Sequence, residues 1–176
     1  ILAGFLNYTG GFPSHLTNAS MTIERIMSLY DPLIGRFRDD GYILEPYSPV
    51  ETTFMALASL QLLNAVHNVD YIKTTEYLKS HLYSNLVDTY YSFKGLQVLN
   101  KLSAINATRL LDFVKDCQKP SGVFKSDYSA SYRLETTRMA TEILSYYNQT
   151  WITAQQTKVV INSISAPSTM NLGSNY

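Results

Sequence analysis

The chain has 176 residues, 14 basic and 14 acidic side chains, no net charge and 16% charged residues, well below the usual quarter. Tyr, Ser, Thr and Asn take the place of the missing charge. Without a basic run there is no footprint for nucleic-acid phosphates, and no apolar stretch reaches membrane-spanning length. The size suits one domain with a sizeable core, expected over residues 1–166, with a loose tail or linker over residues 167–176.

Gly10-Gly11-Phe12-Pro13 reads as the remnant of a preceding repeat. A helix is expected from Ser20 to Tyr30, capped by Ser20. After the turn Asp40-Gly41-Tyr42 comes ETTFMALASLQLL (Glu51 to Leu63), apolar nearly all round, as is VDTYYSFKGLQVL (Val87 to Leu99). Helices without a polar face are normally buried on both sides. Between and after them, Asp70 to Leu82 and Asn106 to Gln118 are one-sided, the latter with a stripe of Leu110, Phe113, Val114 and Cys117. The turn Pro120-Ser121-Gly122-Val123-Phe124 leads to a helix striped by Met139, Ile143, Tyr146 and Tyr147. A last helix is expected after Trp151, burying Val160, Ile161 and Ile164. No strand alternation stands out.

Two-sided helices alternating with one-sided ones form an inner and an outer layer. Three segments open the inner helices alike: Glu51-Thr52-Thr53-Phe54, Asp88-Thr89-Tyr90-Tyr91 and Glu135-Thr136-Thr137-Arg138. The expected fold is all-α, a partial α/α toroid of stacked helical hairpins with about six helices and inner helices near 51–63, 87–101 and 134–147.

Gln118-Lys119-Pro120-Ser121-Gly122-Val123-Phe124 followed by Leu134-Glu135-Thr136-Thr137 resembles the repeat of protein prenyltransferase β-subunits and squalene cyclases. Leu86-Val87-Asp88-Thr89-Tyr90-Tyr91-Ser92-Phe93 is similar to the prenyltransferase stretch L-V-D-G-C-Y-S-F, in which the Asp and Cys are zinc ligands. Here the Asp stands as Asp88 and the Cys position is Tyr90, while Glu135 is nearest the position of the family's His ligand. A phenol does not replace a soft thiolate, so the resemblance implies the fold without the metal. No D-x-D-D cluster of the cyclases is present beyond Asp39-Asp40, and Cys117 lacks the C-G-E-Q context of the related thioester domains. The spacing of Glu51-Thr52-Thr53, Tyr77-Leu78-Lys79-Ser80 and Val87-Asp88-Thr89-Tyr90-Tyr91 is also similar to the luminal helical region of the ribophorin II family, a non-catalytic relative in oligosaccharyltransferase.

Glu51, Asp88 and Glu135 are equivalent positions at inner-helix starts and should meet at one mouth, with Asp39, Asp40, Glu45 and Asp127 from nearby loops. Such carboxylates suit acid/base chemistry, and equally the capping of free helix N–H groups. Tyr90, Tyr91 and Phe93, with loop residues Tyr42, Tyr47, Tyr128 and Tyr132, suit a concave aromatic pocket for a glycan or lipid, or ordinary core packing. Arg36, Arg38, Arg133 and Arg138 flank the same loops and are expected to pair with acids. Cys117 reads as a small buried hydrophobe. Sequons stand at Asn7, Asn18, Asn106 and Asn148.

The expected function is a non-catalytic binding or structural module, an extracytoplasmic glycoprotein domain covered by other chains or further repeats, with no cofactor or metal. The alternatives are a carbohydrate-active enzyme using the mouth carboxylates and a degenerate prenyltransferase-like or cyclase-like domain that carries lipid.

Overall fold

The computed structural model describes residues 18–39, 48–125 and 133–147. In chain order these form α1 (Ala19–Met27), β1 (Tyr30–Asp31), β2 (Arg36–Phe37), α2 (Pro49–Leu62), α3 (Tyr71–Ser80), α4 (Leu86–Val98), α5 (Ala107–Asp116) and α6 (Arg133–Tyr147). The expected elements on residues 1–17 and 148–176, including the helix after Trp151 and the tail, lie outside the described residues, as do Asp40, Glu45, Asn7, Asn148, Asp127 and the loop tyrosines 42, 47, 128 and 132.

The two layers are those the hydrophobic pattern implies. α4 packs between α2 and α6 to make the inner layer, while α1, α3 and α5 lie outside against α2, α4 and α6 respectively. The core runs along the seam between the layers, through Leu57, Leu60, Leu78, Leu96, Leu110, Val114 and Ile143. Gly95 is what lets α3 approach α4 closely, because a Cβ there would stand 2.8 Å from Leu78 Cδ1.

Short polar caps set the helix starts. Ser48, Asp70, Asn85 and Asn106 each accept a first-turn backbone N–H. The first helix is capped by Asn18 and not by Ser20: Asn18 Oδ1 accepts from Met21 N–H at 3.2 Å. The inner helices α2 and α4 end alike, at Asn64 and Asn100, both in the left-handed region with φ of 54° and 55°. Asparagine tolerates that region better than other side chains with a Cβ.

Three details depart from the sequence reading. α2 is less enclosed than its composition suggests: Leu62 is 40% exposed, since this helix has one described inner neighbour while α4 has two. Tyr146 is 52% exposed, and Leu144 takes its expected place in the core. A two-stranded antiparallel hairpin also exists, pairing Tyr30 with Phe37 and Asp31 with Arg36. Strands of two residues are too short to show alternation.

That hairpin carries a repeat signature. Gly35-Arg36-Phe37 and Gly122-Val123-Phe124 both place a glycine at positive φ (82° and 85°) two residues before a buried phenylalanine. In each, a threonine near the inner-helix start holds the phenylalanine backbone: Phe37 N–H donates to Thr53 Oγ1 at 3.1 Å, and Phe124 N–H to Thr137 Oγ1 at 3.4 Å. In the middle repeat Tyr83 N–H donates to Thr89 Oγ1 at 2.9 Å. The first-repeat counterpart of Gly122-Val123-Phe124 is therefore Gly35-Arg36-Phe37.

Candidate functional site

Parallel inner helices bring their N-terminal turns to one end of the stack. Asp88 and Glu135 both lie near enough there for their charges to act on Glu51. Glu51 is half-buried, and that burial raises its carboxyl above the ordinary range; the charges of Glu135 and Asp88 add to the rise, and the facing Tyr91 hydroxyl opposes it. Tyr91 is pushed up strongly by its own burial and by Glu51. Asp88 is held by its cap: Asn85 Nδ2 donates to Asp88 Oδ2 at 2.8 Å, and Asp88 N–H donates to Asn85 Oδ1 at 2.8 Å. Asp39 lines a cleft of about 260 Å³ with Arg36, Arg38 and the start of α2 at Pro49 and Thr52.

One turn deeper is a network that the sequence does not announce. Tyr90 OH donates to Glu142 Oε2 at 2.7 Å, and Lys94 Nζ donates to Glu142 Oε1 at 2.7 Å. Arg138 Nη1 donates to Glu142 Oε2 at 3.0 Å and to Tyr90 OH at 3.2 Å, with its guanidinium 5.4 Å from the Tyr90 ring centre and 3.6 Å from Glu135. Burial alone would raise the Glu142 carboxyl; the bonds from Lys94 and Tyr90 and the two cations outweigh it and hold the carboxyl below its usual range. Tyr90 is pushed up to about 12, by burial first. Tyr90 is therefore a neutral phenol at physiological pH.

The aromatic residues are packing partners more than a lining. Tyr90 and Tyr91 are 4% and 8% exposed, edge to face with each other at 5.2 Å, and Phe54 lies 5.7 Å from Tyr91. Of the arginines, Arg38 pairs with Asp31 at 3.5 Å and Arg138 with Glu135 and Glu142. Arg36 faces the Tyr77 hydroxyl. Cys117 caps the end of α5 and packs half-buried against the core. Asn18 and Asn106 are exposed helix caps.

The residues do not suit the family's zinc. Asp88 has one buried oxygen without a partner, Oδ1, but Tyr90 stands protonated and engaged, and Glu135 is shared with Arg138. Among the described residues no three His, Cys, Asp or Glu side chains are placed to hold an ion. None of the described helices is long and apolar enough to cross a membrane.

Stacked hairpins with converging inner-helix starts define the helical toroid class. The family model for the prenyltransferase alpha-alpha toroid domain matches residues 9–86 and 82–171, and the chain belongs to that family. No curated protein matches the chain.

Proposed function

We propose that the chain is a non-catalytic binding or structural module of the toroid family, within an extracytoplasmic glycoprotein assembly. The closed network of Lys94, Glu142, Tyr90, Arg138 and Glu135 supports this best. Side chains at two places where the family pattern implies metal ligands are bound to their own neighbours. Apolar surface left open at the start of α6, the last described inner helix, adds to it: Leu134 is 87% exposed. Such a surface suits a further repeat or a partner chain. The burial of Tyr90 and Tyr91 counts against lipid carriage, which needs an open inner cavity.

Native mass spectrometry of material purified from its source tests the reading. A stoichiometric protein partner is expected, released by Leu134→Asp at unchanged helix content. A monomer carrying a lipid, or one that turns over substrate, contradicts it.

Glu51 favours a second reading. A half-buried carboxyl with a raised pKa beside two further acids is the arrangement a glycosidase uses for its proton donor. Hydrolysis of aryl glycosides by the chain, abolished in Glu51→Gln, would establish it; no turnover in either protein would remove it.

A further inference from the structure

The hairpins run outer helix to inner helix, so the outer helices all begin at one rim of the stack, at Asn18, Asp70 and Asn106, and α2 and α4 begin at the other, at Ser48 and Asn85. Capping explains an asparagine at such an end but asks nothing of the residue two positions on. After Asp70 that residue is Ile72, and after Asn85 it is Val87. After Asn18 and Asn106 it is Ser20 and Thr108, both exposed. Among the described residues neither hydroxyl makes a hydrogen bond, and threonine is a poor helix former. The amide nitrogens differ as well. Asn85 Nδ2 is tied to Asp88, whereas among the described residues neither Asn18 nor Asn106 uses its Nδ2, only its Oδ1.

We propose that Asn18 and Asn106 carry N-linked glycans along the outer-helix rim and go on capping their helices while they do. This rests on the extracytoplasmic reading above. In the transfer, Nδ2 attacks the anomeric carbon of an oligosaccharide activated as a polyisoprenyl diphosphate. The N–C bond forms as the C–O bond breaks, the diphosphate leaves with the electron pair, and one Nδ2 proton passes to a base. No electrons are exchanged, and a separate transferase supplies the donor. The linked amide keeps its carbonyl, so the bonds from Met21 N–H (3.2 Å) and Arg109 N–H (3.0 Å) persist. Glycans on this rim stand away from the Glu51 end and leave it uncovered.

The test is expression of the full chain in a eukaryotic secretory host, followed by peptide N-glycosidase treatment in heavy-oxygen water and peptide mapping. Labelled aspartate is expected at positions 18 and 106. Asn106→Asp should lose one glycan mass at an unchanged melting temperature, because aspartate caps as well as asparagine; Asn106→Ala should lose the glycan and melt lower. Unmodified Asn18 or Asn106 on the folded chain, secreted or retained, overturns the proposal, and so does equal melting of the Asp and Ala variants. Glycans on a chain that has no protein partner would leave this inference standing and count against the module; a partnered chain without glycans would do the reverse.

Discussion

The hydroxyl of Tyr90 donates a 2.7 Å hydrogen bond to Glu142, 52 residues further along the chain. That bond, with Lys94 and Arg138 on the same carboxylate, ties the middle of α4 to the middle of α6. Removing the carboxylate leaves a buried phenol and a mostly buried ammonium without their acceptor. Glu142→Ala is therefore expected to cost about 1–2 kcal/mol after allowing for solvent screening, read as the shift in urea midpoint. Because the folded pKa of Glu142 is depressed, its contribution is present above the unfolded carboxylate pKa and is lost as pH falls through the folded value. The gap between wild type and variant should close in acid.

Glu51 should behave with the opposite sign. Its folded pKa is raised, so the protonated form is favoured in the native state, and that advantage disappears as pH rises through the folded value. Glu51→Gln is expected to melt higher than wild type at neutral pH and level with it in acid. Thermal scans across that range check it; a variant that melts lower at neutral pH would mean the charge is stabilised there.

The two motif glycines share a backbone conformation and differ in surroundings. A Cβ on Gly35 would stand 2.5 Å from the Lys73 carbonyl carbon, whereas a Cβ on Gly122 meets nothing within 4 Å. Gly122→Ala should cost about 1 kcal/mol, the strain of the left-handed region. Gly35→Ala adds a backbone clash and should cost about 3 kcal/mol or more. Equal losses in chemical denaturation would contradict this packing of the hairpin against α3.

Buried threonines at the inner-helix starts do the work of a peptide ladder. Thr53 Oγ1 accepts from Phe37 N–H and donates to the Pro49 carbonyl at 2.7 Å, fully enclosed. Thr53→Val keeps the shape and strands a buried N–H, at about 1–3 kcal/mol. Thr89→Val removes the acceptor of Tyr83 N–H, which is only part-buried, and should cost less. Amide exchange at Phe37 and Tyr83 would report each loss locally.

Layer order and inner-helix positions were legible because burial on two sides leaves a helix with no polar face, as in the run from Val87 to Leu99. The meeting of Glu51, Asp88 and Glu135 followed from their equivalent places in the repeat. Glu142 and Lys94 were not legible, since a charged residue in mid-helix looks the same whether it faces solvent or a partner on the next helix. The hairpin was hidden by strands two residues long, and Gly35-Arg36-Phe37 by the more turn-like Asp40-Gly41-Tyr42 that follows it. Ser20 is as good a cap by type as Asn18; only the chain geometry separates them.

Zinc binding addresses the central claim most directly, that Tyr90, Lys94, Arg138 and Glu142 on the inner helices satisfy one another and hold no metal. The purified full chain is incubated with zinc at neutral pH, dialysed and measured for metal content. The closed Tyr90–Glu142–Arg138 network predicts no retained zinc and an unchanged melting temperature. One zinc per chain surviving dialysis, with a raised melting temperature that Asp88→Asn abolishes, would contradict it.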